Sequence, residues 1–502
     1  MENRRAIIQF KSNKISLAIY ETKAPCFYNL IDEYVEPYAF AQEIANEQLI
    51  RPIVIKDLIE TMKTYRKICD TFGVIQINAF APNYFANVKN IKSLTEEIYN
   101  VCGISVAILT EEEQMKSLFC GAVNCSDIAK GIFFSINEFD TTLVQFNRRN
   151  ILNFAVLPYG TYSFAKVLEN GNKTEIKKYL KNFENELKNV AFLKETDEET
   201  MYLTNEDVFL NVGSLARKAT RYPLDLVNNY VVKKEIFDNV YNLMQTLDLD
   251  KTKKIKGITE GSADKLKAGL ELAKIFFDMQ NASEFSISEE SIREGYINNY
   301  LIPEVFDRPL SEMFMFSLQN MNAFFKVPNS NNEQVYELAI NVFKQLKVIH
   351  KLPRAYIKPL RIAAYMYDCG KRISNDNYIK NAFSIILNSK IKGVSHKDLL
   401  LAAFACTFQD LNNFNLSDWV KYSSIVTEDD LEAIKKIGVI VKLSVALDSS
   451  KNSVIEDLSC DILGDSIIMK TIVSKDATFE IKEAMKVNSS FKKVFTKFIE
   501  VI

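Results

Sequence analysis

The stretch Ala6–Glu21, "AIIQFKSNKISLAIYE", decides the reading of the chain. Apolar residues fill Ala6–Phe10, and Ile15, Leu17 and Ile19 alternate in the arm that runs to Tyr20. Two β-strands joined by a tight polar turn at Lys11–Lys14 are expected. A hairpin of this kind cradles phosphate through backbone N–H groups when its turn holds glycine, because the anion must approach the backbone closely. Here Lys11 stands where glycine is wanted, and Gln9 stands where an Asp would hold a metal ion. The turn is a phosphate site, a modified one, or the shell of one.

Composition narrows the field. The 502 residues allow about three to four domains. The chain is 47% hydrophobic and 25% charged, the balance of a soluble protein. With a net charge of -2 it has no overall attraction for nucleic acid or polyphosphate, so a polyanion site must be a local basic patch. No apolar run approaches ~18 residues and "MENRRAIIQF" has no signal-peptide core, so a cytoplasmic protein without membrane contact is expected. The 8 cysteines form no C-x-x-C pair and read as reduced core residues. The only histidines, His350 and His396, argue against a multi-histidine metal site.

The first part of the chain alternates strands and helices. "VIQINAF" (74–80) and "SVAILT" (105–110) are β-rich, and "SLTEEIYNVC" (93–102) has helical spacing with a Ser–x–x–Glu start that suggests a capping box at Ser93. A second unit opens at "GIFFSINEFDTTLV" (131–144), again strand, turn, strand. Duplication of an α/β unit is the simplest account, and two such units would set two phosphate-type turns across a cleft. After about residue 300 the pattern turns helical, with Val335, Leu338, Ala339, Val342, Phe343, Leu346 and Ile349 on the 3.6-residue period. From about Val426 one helix is followed by strand-like runs, "DSIIMKTIVS" and "ATFEIKEAM".

In this order the residues resemble the exopolyphosphatase/guanosine-pentaphosphatase (Ppx/GppA) family over nearly the whole chain. "IIQFKSNKISLAIYE" is similar to the family's "AIDIGSNSxxLVIYE", "GIFFSINEFDTTLV" to "GLVVDIGGGSTELV", and "LPYGTYSF" to "LPLGAVRL". "VFLNVGSLARKA" resembles "GIGGTARALA", "GITEGSADKLKAGLELAKIFFD" resembles "GLxxxRADxxxAGxxIL", and "SISEESIREGYI" resembles "VSDxGLREGxL". The resemblance implies an α/β fold: duplicated actin-like/sugar-kinase-like (ribonuclease H-type) domains, then an all-α HD-like domain and a small C-terminal α/β domain. The expected boundaries are 1–125, 126–302, 303–424 and 425–502.

The departures from the family fall at its chemistry. Family enzymes attack a terminal phosphoanhydride with water, using a carboxylate to orient the water, Mg²⁺ held by Asp, and Arg or N–H donors on the phosphoryl oxygens. Here the metal-holding Asp positions carry Gln9 and Ser135, and the loop glycines are Lys11, Asn137, Glu138 and Phe139. "ATSAxREAxN" becomes "NAFAPNYFAN", which keeps Asn87 and puts Asn83 at the Arg. The catalytic Glu falls on Gln114, directly after Glu113. The helical domain carries Tyr367 and Asn381 at histidine positions, and Asp368 reads as a cap or salt-bridge residue, so no metal ligand set is expected. Arg293–Glu294–Gly295 reads as a structural ion pair and helix end.

These features imply a catalytically impaired family member that binds polyphosphate or a guanosine polyphosphate, as a homodimer. The candidate phosphate-binding residues are Lys11, Ser12, Asn13, Lys14, Asn87, Gly213 and Ser214, and the candidate catalytic ones are Glu113 and Gln114. A basic stretch with Lys347, Lys351, Arg354, Lys358 and Arg361 would form a polyanion channel. Two alternatives stand beside this reading. One is an active, Mg²⁺-dependent hydrolase using Glu113, Asp140 and the loop lysines; the other is a non-catalytic scaffold or regulatory partner.

Overall fold

Strands β1 (Asn3–Phe10) and β2 (Lys14–Lys23) form the expected hairpin, with Phe10 opposite Ile15. Ala6, Ile7 and Ile8 are fully buried because β1 is an inner strand, with β4 (Gln76–Ala81) parallel on its other side. A strand covered on both faces carries a continuous apolar run rather than an alternation. With β3 (Phe27–Pro37) and β5 (Val106–Ile108) the sheet order is β3-β2-β1-β4-β5.

The same plan recurs. β6 (Lys130–Ile136), β7 (Thr141–Asn147), β8 (Asn150–Leu157), β9 (Met201–Thr204), β10 (Tyr230–Lys233) and β11 (Glu284–Ile287) build a sheet of order β10-β11-β9-β6-β7-β8. Taken from its other edge, β8-β7-β6-β9-β11 repeats the first sheet strand for strand, with the same two antiparallel and two parallel pairings. β10 is added antiparallel at the end. The α/β duplication expected from the hairpin starts is therefore present in the topology.

The computed structural model describes residues 3–23, 27–258, 262–301, 310–325, 331–408 and 416–502. Cys26 and parts of the 257–278 and 327–334 stretches lie outside them. The chain divides into two compact units, Met1–Arg221 with Val227–Met313, and Tyr222–Leu226 with Phe314–Ile502. The first holds both sheets.

In the second unit, the helices Asn332–Gln345, Ile357–Met366, Tyr378–Leu387, His396–Thr407 and Glu428–Leu447 bury one apolar core. That core runs on into a sheet of β12 (Ile455–Leu463), β13 (Ser466–Val473) and β14 (Phe498–Val501) through Ile455, Leu458, Ile467, Met469 and Ile499. Among the described residues no helix is long and apolar enough to cross a membrane.

Two local expectations are corrected. "ATFEIKEAM" is not strand-like but lies in the helix Thr478–Lys486, because Ala477, Glu480, Ala484 and Val487 are the buried positions, a helical spacing. Ser93 does not open a capping box, since its helix already begins at Ile91. Asn90 precedes that helix and spends its amide on the N–H and C=O of Ile50.

Candidate functional site

The two hairpin turns have the same construction. The Lys11 N–H donates to the Lys14 carbonyl at 2.8 Å, and the Asn137 N–H donates to the Asp140 carbonyl at 2.9 Å. Each turn also has two carbonyls that accept from the chain leading into or starting a helix, shifted by one position between the turns. Ser12 and Asn13 take the N–H groups of Ala41 and Tyr38, while Asn137 and Glu138 take those of Thr161 and Tyr162. Phe10↔Ile15 and Ile136↔Thr141 are the corresponding ladder pairs. Lys11, Ser12, Asn13 and Lys14 therefore correspond to Asn137, Glu138, Phe139 and Asp140. Gly160 lets the second helix start against its turn: a Cβ there would lie 2.3 Å from the Glu138 carbonyl oxygen.

Three consecutive residues of the second turn reach across to the first half of the unit. The Ser12 hydroxyl donates to Glu138 Oε1, and Lys265 Nζ sits 3.1 Å from the same oxygen. The Phe139 ring packs on Tyr84 with centroids 4.7 Å apart. Asp140 Oδ2 accepts from Gln114 Nε2 at 3.3 Å, and its other oxygen accepts from Asn137 Nδ2 at 2.6 Å. Glu138 thus ties the second turn to the first, while Phe139 and Asp140 hold it to Tyr84 and Gln114.

Between the turns lies a cavity of about 120 Å³ lined by Gln9, Lys11, Asn13, Lys14, Gln114 and Glu138, with Glu206, Asp207 and Lys265 in the remaining wall. Gln9 is 1% exposed, and its buried Nε2 has no hydrogen-bond partner. Burial and the neighbouring Lys11 charge lower the Lys14 ammonium below the usual lysine range. Desolvation pushes the Glu206 carboxyl up to about 7, against the pull of Lys11 and with the push of Asp207, Glu138 and Glu294. Glu206 has φ 69°, a left-handed conformation that costs a non-glycine residue about 1 kcal/mol, at the turn from β9 into the helix Glu206–Ala219. Desolvation also raises Asp140, although Asn137, Gln114 and Thr142 all donate to it.

Helix Glu111–Cys125 sets Gln114 and turns Glu113 away. Thr110, Glu113 and the helix start form a capping box in which Glu113 Oε2 accepts from the Thr110 N–H and hydroxyl, each at 2.9 Å. Glu113 does not line the cavity. Gln114 does, but both ends of its amide are engaged: Oε1 accepts from the Asn83 N–H at 2.7 Å while Nε2 donates to Asp140. The helix is seated on Ile292–Tyr296 by two glycines; a Cβ on Gly295 would lie 1.7 Å from the Ser117 carbonyl oxygen, and one on Gly121 2.3 Å from that of Ser291. Arg293 pairs with Glu33 and Glu294, and Glu294 closes a capping box on Ser291.

The structure brings Lys11, Asn13, Lys14 and Gln114 together around the cavity, with Ser12 behind Glu138. Asn87, Gly213 and Ser214 do not join them. Asn87 is exposed in the turn Asn83–Asn87, and Gly213 lies inside a helix, where a Cβ would meet the Ile287 and Val227 side chains. It is Glu206 and Asp207, at that helix's start, that reach the cavity. In the second unit, Lys347, Lys351 and Arg354 are exposed, Lys358 donates to the Gly393 carbonyl at 3.0 Å, and the Arg361 guanidinium lies 4.7 Å over the Tyr336 ring. Asp368 is fully buried, with Lys371 at 3.9 Å and Lys451 at 4.0 Å.

A hard cation such as Mg²⁺ wants free carboxylate oxygens, and the two turns themselves offer none. Asp140 accepts from Asn137, Thr142 and Gln114, and Glu138 is held by Ser12 and Lys265, which leaves Glu206 and Asp207 as the other carboxylates of the cavity wall. Among the described residues no group of three or more His, Cys, Asp or Glu is gathered to hold a metal ion. Sequence reasoning missed Lys265, Glu206 and Asp207. The Thr110–x–x–Glu113 box was readable, and it separates Glu113 from the cavity.

Comparison with known proteins agrees with this architecture. The model of the Ppx/GppA phosphatase family matches residues 19–302, and that of Ppx/GppA phosphatase domain III matches 315–485. A curated relative, "Retrograde regulation protein 2" of Saccharomyces cerevisiae (strain ATCC 204508 / S288c), is 20% identical over 322 residues, covering 58% of this chain and 55% of that protein. The match thus spans about half of the relative's length. Among solved structures, the Aquifex aeolicus Ppx/GppA family member superimposes with TM-score 0.53 at 16% identity, covering 61% of this chain and 99% of its own. An exopolyphosphatase from Cytophaga hutchinsonii gives 0.52 at 15%, covering 60% and 98%. With two domain models matched in order across most of its length and a duplicated sheet topology to carry them, the chain belongs to the Ppx/GppA phosphatase family.

Proposed function

We propose that this protein is a catalytically impaired member of its family. In this reading it binds a phosphate-terminated ligand, polyphosphate or a guanosine polyphosphate, between the two hairpin turns and acts through binding rather than turnover. The observation that carries the reading is Gln114. An amide cannot accept the proton of an attacking water at neutral pH, and both its polar ends are already engaged by Asn83 and Asp140. The adjacent Glu113 caps its own helix and is no substitute. Phosphoryl transfer depends on positioning and charge stabilisation acting as a unit, so the further loss of loop glycines and metal-holding Asp residues lowers the rate non-additively. Lys11 and Lys14 in the cavity wall support binding of an anion. The kinship with a protein named for retrograde regulation is in keeping with a regulatory role.

Phosphate release from long-chain polyphosphate and from guanosine pentaphosphate, with and without Mg²⁺, tests the reading. Release near background together with salt-sensitive binding of either ligand is expected. Robust turnover would overturn it. A second reading, hydrolysis by a relocated base, is favoured by Glu206, whose carboxyl titrates at about 7 in the cavity wall. Under that reading Glu206→Gln abolishes the turnover.

A further inference from the structure

We infer that the Glu138 carboxylate is a tethered anion seated where the terminal phosphoryl group of a ligand would go, and that Lys265 is an anion-binding residue of this site. Ligand then enters by exchanging with Glu138. The inference rests on the phosphate-binding reading and specifies how that binding is regulated.

The partners of the carboxylate are those a phosphate would choose. A hydroxyl from the opposite turn, Ser12, and an ammonium, Lys265, converge on one oxygen of Glu138. Lys265 lies in the first turn of the helix Ala263–Met279, where a cation is disfavoured by the helix dipole unless it serves an anion. Both its side chain and that of Glu138 are largely removed from water, at 11% and 25% exposed. Glu138 is the counterpart of Ser12 in the duplicated turn, so the contact joins equivalent points of the two halves. The turn backbone is fixed by the N–H groups of Thr161 and Tyr162, yet the glutamate side chain has freely rotating bonds. When it swings away, it gives up its contacts with Ser12 and Lys265, while Lys11 and Lys14 remain at the wall. Gln9, whose buried Nε2 has no partner, also lines this cavity.

Isothermal titration with inorganic tripolyphosphate, and separately with guanosine tetraphosphate, tests this on the full chain. The proteins compared are the wild type, Glu138→Ala, Glu138→Gln and Glu138→Ala combined with Lys265→Ala. Removing the tethered charge should tighten binding of at least one ligand tenfold or more, and the added Lys265→Ala should abolish that gain. Glu138→Gln serves if the alanine variant does not fold. Wild-type binding that Glu138→Ala and Glu138→Gln leave unchanged or weaken would overturn the tethered-anion inference and leave the binding reading intact. A gain that survives Lys265→Ala would overturn the assignment of Lys265. Binding of neither ligand to any variant would overturn both readings together.

Discussion

Ser12 and Glu138 hold the same position in two hairpins of one construction, and the hydroxyl of the first donates to the carboxylate of the second. The duplication therefore does more than repeat a fold. It brings two turns face to face, and a glutamate in one of them supplies the other with an anion. Phe139 on Tyr84 and Asp140 on Gln114 add further links on the same side.

Glu113 provides the first test, because its neighbour's place in the family pattern invites a catalytic assignment. In the capping box it holds the Thr110 N–H. Thr110→Ala should cost about 1 kcal/mol of stability and Glu113→Gln less, read by urea denaturation. Neither should change tripolyphosphate affinity beyond about twofold. A large affinity loss from Glu113→Gln at unchanged stability would mean that the carboxylate reaches ligand.

Gln114→Glu is the obvious attempt at repair, and it should fail. The new carboxylate would lie about where Nε2 now meets Asp140 Oδ2 at 3.3 Å. Two carboxylates that close cannot both ionise, so one retains a proton above its usual range. A carboxyl raised in the folded state is protonated there while the unfolded chain has released its proton, so stability is lost as pH rises. The variant should melt below wild type by more at pH 8 than at pH 5, and polyphosphate hydrolysis should stay near background. A gain in turnover of a hundredfold or more would show that the missing carboxylate was the principal defect.

Much of this was readable in the sequence, and the exceptions have a physical pattern. The hairpin Ala6–Glu21 was legible because an inner strand and a tight turn both leave local signatures, and its echo near Ile132 revealed the duplication. The losses at Gln9, Glu138 and Gln114 were legible as departures from the family pattern. Lys265 and Glu206 were not. They reach the cavity from helix starts far along the chain, and nothing local marks a lysine or glutamate as facing a distant turn. Gly213 misled for a related reason: a glycine needed for packing against Ile287 looks the same in sequence as one needed for phosphate.

The crossing of Gly121 and Gly295 fixes the helix that carries Gln114. A methyl group on Gly295 would sit 1.7 Å from the Ser117 carbonyl oxygen, an impossible contact with backbone that cannot rotate away. Gly295→Ala should destabilise the first unit by about 3 kcal/mol or more, as overpacking of a tight interior does at its upper range. Gly73→Ala makes a useful comparison, since the added Cβ there meets nothing within 4 Å and the penalty comes only from φ +64°. The cost at Gly73 should stay near 1 kcal/mol. Equal losses at the two sites would contradict the helix crossing.

Glu206 combines two separable costs, and pH divides them. Its carboxyl is raised from an ordinary 4.5 to about 7, chiefly by desolvation. Below pH 4.5 both folded and unfolded chains are protonated and no penalty arises. Between 4.5 and about 7 the folded chain holds the extra proton, so stability falls as pH rises, and above 7 the full cost is present. Glu206→Gln removes the ionisation but keeps the left-handed backbone. It should stabilise the protein at pH 8 by about 1–3 kcal/mol, after allowance for residual solvent, and by clearly less at pH 5. Glu206→Gly removes the ionisation and also relieves the φ of 69°, which adds about 1 kcal/mol at both pH values, in opposition to the extra chain entropy of glycine when unfolded. Paired thermal melts at pH 5 and pH 8 measure both effects. A Glu206→Gln gain that is the same at the two pH values would mean the carboxyl is not desolvated in the cavity wall, and the hydrolytic alternative would lose its candidate base.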